Sequence, residues 1–168
     1  MPLNLLKRYN ELLDISGLPQ QQRYLSLKGV FDRDITNNAN FSYNSKRVTP
    51  TPEDGRIEME TLFRHLTTVI TDHKTKHRDF DVHRSQRLHW VKYHLDQRKT
   101  NSMLCFTVKE PEGYRTYIYD VDEKYVIVLE PKYHNSIYFL LTAYYLQGKD
   151  AQRDKMLKKY KRRIDIIL

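Results

Sequence analysis

One cysteine, five glycines and no long apolar run are the first features of this 168-residue chain, and each scarcity excludes something. The lone Cys105 leaves no internal disulfide framework and no cysteine-based zinc site, and suits a reducing, cytoplasmic setting. So little glycine leaves no phosphate-cradling loop and no Gly-x-Ser-x-Gly elbow, so a P-loop enzyme, a kinase or a dinucleotide enzyme is not supported. No segment approaches the roughly 20 apolar residues of a membrane span. The first 14 residues carry Lys7 and Arg8 with no long apolar stretch after them, and do not read as a signal peptide. No membrane partner is expected.

What the chain has in quantity is tyrosine and positive charge. Thirteen tyrosines and 39% apolar residues exclude a low-complexity linker and leave enough for one core, in a chain of one-domain size. Lys and Arg number 29 against 21 Asp and Glu, a net charge of +8, which favours a polyanionic partner. The excess is concentrated. Residues 73–99 hold eight basic side chains against three acids, and residues 149–163 hold eight against two.

Periodicity divides the chain in two. Leu3, Leu6, Tyr9 and Leu13 suggest a short helix over 2–14, and residues 29–56, rich in Asn, Ser and Pro, read as a long connection. Met59, Leu62, Phe63, Leu66, Val69 and Ile70 predict a helix over 57–71, and Leu88, Val91 and Leu95 a second one over 84–97. After Thr100 four β-branched and aromatic runs follow, at 103–108, 114–119, 125–130 and 136–143. Their short separations suit hairpins. A basic helix is expected over 148–162. The expected fold is therefore α+β: N-terminal helices, then a four-stranded antiparallel meander, then the basic helix. Residues 1–56 would be an N-terminal extension of a single domain whose residues 57–168 carry the function.

Five of seven histidines, His73, His77, His83, His89 and His94, fall in the first basic segment. On one continuous helix His83, Arg87, Trp90 and His94 would form a stripe beside the apolar one, where imidazoles and a guanidinium can face a phosphate. Zinc is disfavoured, because His73 and His77 lack the acid of a His-Glu-x-x-His motif and lie among Lys74, Lys76 and Arg78. Asp120 with Glu130 and Lys132 has the spacing of a magnesium nuclease, but Pro131 is expected to break the strand between them. Cys105, in an apolar strand, reads as an inert thiol. Clustered His and Arg without metal ligands are the equipment for RNA cleavage through the 2′-OH.

The run His83-Arg84-Ser85-Gln86-Arg87-Leu88-His89-Trp90-Val91, followed by a meander and by Phe139-Leu140-Leu141-Thr142-Ala143-Tyr144, resembles the barnase–EndoU–colicin E5/D–RelE-like nucleases, in particular their phage and polymorphic-toxin branches. The likeness covers about residues 77 to 147. It implies a compact α+β ribonuclease with its active site on the sheet face, needing no metal or other cofactor, acting on RNA such as tRNA and restrained by an inhibitor or antitoxin protein. Carried onto this chain, it casts His83 as general acid/base, Arg87 as phosphate clamp, Thr142 and Tyr144 as hydrogen-bonding groups, and His77 as a second acid/base. Arg84, Trp90, His94, Tyr117, Tyr145, Lys158, Lys159 and Arg162 complete an expected RNA-binding surface, by charge or by base stacking. Rival expectations are a nucleic-acid-binding module without catalysis and a phage-derived structural protein carrying a degenerate nuclease fold.

Overall fold

The computed structural model of the chain describes residues 2–55 and 57–168. A 3-10 turn at Pro2–Leu6 leads to helix α1, Gln20–Phe31, which runs on into a π-helical turn at Asp32–Thr36. Strands β1, Ser42–Tyr43, and β2, Lys46–Pro50, form a tight hairpin before helix α2, Met59–Thr67. Strands β3, Thr68–Asp72, and β4, His77–Phe80, make a second hairpin. Two short helices follow, α3 at Val82–Ser85 and α4 at Trp90–Leu95. Strands β5, Met103–Glu110, β6, Gly113–Asp120, β7, Tyr125–Lys132, and β8, Ile137–Tyr145, precede helices α5, Gly148–Gln152, and α6, Lys155–Lys161.

The class is α+β, but the sheet is not the expected four-stranded antiparallel meander. It has six strands in the order β1-β2-β8-β7-β6-β5, and β2 lies parallel to β8. The β3–β4 hairpin forms a separate two-stranded sheet. The first hairpin was hidden because its strands are short and its turn is polar. Asn44 and Ser45 both take left-handed backbone angles there (φ 49° and 63°), the geometry of a two-residue hairpin turn. The sheet curls until the Tyr43 hydroxyl on β1 donates to Cys105 Sγ on β5 at 2.9 Å. Burial raises the Cys105 thiol above its ordinary pKa.

The expected helix over 57–71 stops at Thr67. Thr67 and Thr68 bond back to the carbonyls of Phe63 and Arg64, and the β-branched run that follows prefers a strand. Val69 and Ile70 thus leave the helix for β3. The expected helix over 84–97 is broken as well: a turn at 86–89 separates α3 from α4. Helix α1 escaped detection because its buried residues, Leu27, Val30 and Phe31, sit only in its last half. Pro131 does not break β7, where it pairs with Tyr138. Residues 130–132 face β8 alone, since the ladder to β6 ends at Leu129, and an unpaired side tolerates the missing N–H.

Both faces of the sheet are covered. One packs against a large cluster that draws Leu13, Phe31 and Phe41 from the first 56 residues together with Leu62, Trp90, Ile127 and Leu140. Those 56 residues are therefore part of the core. The opposite face carries Phe106, Tyr117, Tyr119 and Val126 under Met156 and Tyr160 of α6. The parallel ladder from β2 to β8 ends at Pro50 and Leu140. Beyond it, the outer side of β8 at 141–145 is left to α2 and α3, which pack against it. The candidate site lies along that half-strand.

Candidate active site

Helix α3 is held at both ends. The Asp81 carboxylate caps it by accepting from the Arg84 N–H at 2.9 Å, and Ser85 Oγ donates to the Thr67 carbonyl at 3.0 Å. Arg84 then reaches the open edge of β8. Its Nη1 donates to the carbonyls of His65 (2.9 Å) and Thr68 (3.1 Å) and to Thr142 Oγ1 (3.2 Å). Arg78 arrives from β4 and donates Nε to Thr68 Oγ1 at 2.8 Å and Nη2 to the Thr68 carbonyl at 3.0 Å. Two guanidiniums therefore converge on one carbonyl oxygen. Neither has a carboxylate within ion-pair distance among the described residues.

The electrostatics follow from that crowding. Burial lowers the pKa of Arg84, against the opposing pull of Asp81. Burial and repulsion from Arg84 and Arg64 lower that of Arg78. An arginine does not discharge in a protein, so both shifts describe cations that an incoming anion would stabilise. The Arg84 Nε is buried with no partner. Burial and the neighbouring Arg78 also hold the His65 imidazole below its ordinary pKa, which keeps it neutral and able to accept a proton.

These groups line an open cavity of about 570 Å³ whose walls include His65, His73, Arg78, Arg84, Thr142 and Tyr144. A smaller cavity of about 190 Å³ shares Arg84, Tyr144 and Asp150 with it and extends to Tyr145 and Gln147. Together they form one groove along the end of β8. Thr142 and Tyr144 pair with Val128 and Val126, whereas Tyr145 pairs with Tyr125. The first two side chains and the third therefore point to opposite faces, and the groove wraps around the edge of β8.

The other expected residues are distributed as follows. His83 is exposed on α3, its ring 6.0 Å from that of Tyr145. Arg87 is buried between Tyr145 at 4.0 Å and Trp90 at 5.2 Å, donates Nη1 to the His83 carbonyl and leaves Nε unpartnered. His77 faces Asp79 on the β3–β4 hairpin and does not line the groove. Trp90, His94 and Tyr117 are buried, where their rings serve packing. Lys158 and Arg162 are exposed on and just after α6, while Lys159 pairs with Glu110. Of the rival magnesium set, Asp120 is taken by His94 and Lys99, and Glu130 by Arg115 and Lys132. Among the described residues no three His, Cys, Asp or Glu side chains gather as a metal-holding group, and no helix is long and apolar enough to cross a membrane.

Arg78, His65 and the role of Thr68 were not legible in sequence. The one available signal for Arg78 was its place in the first basic segment. Comparison of the chain with known protein families, curated proteins and solved structures finds no match.

Proposed function

We propose that the chain is an endoribonuclease that cleaves RNA without metal, in the groove at the end of β8. The observation that carries this reading is the pair Arg78 and Arg84, two guanidiniums meeting at the Thr68 carbonyl with no carboxylate within ion-pair distance among the described residues. A phosphodiester supplies the missing charge, and guanidinium forks match its oxygens. Thr142 and Tyr144 stand beside Arg84 as hydrogen-bonding groups for the same phosphate. Lys155 adds a third cation to the groove wall.

Proton transfer falls to the histidines. A neutral imidazole takes the proton of the ribose 2′-OH, whose oxygen attacks phosphorus. The bond to the 5′-oxygen breaks, and that oxygen leaves with a proton from a second, protonated imidazole. The products are a 2′,3′-cyclic phosphate and a 5′-hydroxyl. His65, kept neutral on the cavity wall, suits the first role. His83 at the Tyr145 end and His73 at the hairpin end are the candidates for the second.

The test is incubation of the purified protein with total RNA in EDTA, beside His65→Ala, His73→Ala and His83→Ala variants. Fragments ending in 2′,3′-cyclic phosphate, lost with His65→Ala and with one of the other two, support the reading. A second reading, an RNA-binding module without catalysis, is favoured by the position of His83 and His77 outside the cavity walls. Tight, salt-sensitive binding of RNA that stays intact would select it.

A further inference from the structure

The histidine-bearing segment has another side. The loop at residues 7–9 lies over α4 and the turn after α1, and the three enclose an open cleft of about 490 Å³. Five Lys or Arg side chains line it against two acids, Asp34 and Asp96. Both acids are already occupied: Arg33 grips Asp34 at 2.6 Å, and Lys92 holds Asp96 at 2.5 Å. Lys7, Arg8 and Arg98 are left with no carboxylate partner among the described residues.

The wall of the cleft is aromatic and rigid. Tyr9 and Tyr93 stack with ring centroids 4.4 Å apart and planes 7° from parallel. Tyr9 is fixed from behind, where its hydroxyl donates to Asp120 at 2.5 Å. Below them His89 is buried, and its Nε2 hydrogen-bonds the Arg8 carbonyl at 3.1 Å. The loop is thereby tied down, and its cations stand over a preformed surface. Three cations without acids select an anion. A stacked tyrosine pair beside them selects one that carries a flat ring.

We propose that this cleft binds a nucleotide, with Lys7, Arg8 and Arg98 on its phosphate and the Tyr93 ring against its base. The assignment gives the N-terminal segment a binding role, and it stands whether or not the β8 groove cleaves RNA. The nucleotide is either free or one unit of a single strand, and the chemistry recognised is the same.

The test uses the full chain and a fluorescent 2′-O-methyl RNA hexamer, which keeps phosphates and bases but has no 2′-OH to attack. Lys7→Ala/Arg98→Ala removes two side chains that make no hydrogen bond among the described residues, and Tyr93→Leu removes the ring while keeping bulk. The double variant should bind several-fold more weakly, with the slope of log affinity against log salt reduced by about one per cation removed. Tyr93→Leu should weaken binding with the slope unchanged. Competition by AMP at the hexamer's own affinity identifies a free nucleotide as the occupant, and competition only by oligonucleotide identifies a strand. Unchanged affinity and slope in the double variant overturn the proposal. So does displacement of the hexamer by poly-glutamate at equal charge concentration, which would mark an acidic protein surface instead. Failure of RNA cleavage by the wild type bears on the β8 groove alone, because the hexamer assay reads binding without turnover.

Discussion

Two buried charge clusters sit on either side of the segment 84–99, and they are built in opposite ways. Asp120 is fully buried and receives His94 Nε2 at 2.9 Å, Lys99 Nζ at 2.5 Å, the Tyr9 hydroxyl at 2.5 Å and the Glu123 N–H at 3.2 Å. His94 Nδ1 in turn faces the Trp90 carbonyl at 2.7 Å. Burial alone would raise the Asp120 pKa, but His94, Lys99 and Tyr9 outweigh it and hold the carboxyl far below its usual range. Among the described residues Arg84 and Arg87 each leave a buried Nε without a partner and have no carboxylate within ion-pair distance. A charge whose partners are all supplied by the protein holds the protein together. A charge whose partners are missing is available to a ligand.

The largest effect that would break this contrast is on stability. Asp120→Ala strands four donors, and removing one partner of a buried charged network costs roughly 3–5 kcal/mol. Urea unfolding should show that loss. A change below ~1 kcal/mol would mean that Asp120 is not the closed structural centre described. The same network has a pH signature. Because the folded-state pKa of Asp120 is depressed, its contribution is complete above the unfolded value of about 3.9 and is lost as pH falls below it. Below pH 4 the stability of an Asp120→Asn variant should therefore fall less steeply than that of the wild type.

Arg84→Lys sharpens the other half. It keeps one charge but loses the planar guanidinium whose Nη1 bonds Thr142 Oγ1 and the two carbonyls. Cleavage should drop about 100-fold, the scale of removing one preorganised group from a developing anion, with a stability change well under that of Asp120→Ala. Equal damage to stability and cleavage would make Arg84 another structural charge. The smallest effect is a displacement in pH. If His65 is the base, the acid limb of the cleavage profile should have its midpoint below 6.5, the ordinary histidine value. His65→Ala should abolish that limb, whereas a limb unmoved by the substitution would assign the base to another histidine.

Strands β5 to β8 were legible because alternating β-branched and aromatic residues are punctuated by clear turn chemistry, such as Pro111-Glu112-Gly113 closing the Glu110 to Gly113 pair. The hairpin of β1 and β2 was not, since two strands of two and five residues carry too few apolar positions to show a period. The motif residues His83, Arg87, Thr142 and Tyr144 could be named from their resemblance; it is Arg84, outside that motif, that meets Thr142 across 58 positions of chain. The convergence of Arg78 and Arg84 on Thr68 could not. It depends on α2 ending one residue before Thr68, which local spacing placed inside a helix.

The shortness of β2 has one more consequence. From Leu141 onward β8 has no strand on its outer side among the described residues, and α2 and α3 cover an edge that would otherwise be a template for a second molecule. Arg84 ties that cover together, since from α3 its Nη1 bonds the His65 carbonyl of α2 and Thr142 Oγ1 of β8. The groove and the protein's resistance to edge-to-edge self-association thus rest on the same guanidinium. An apolar replacement there would both silence the site and invite the chain to polymerise through it.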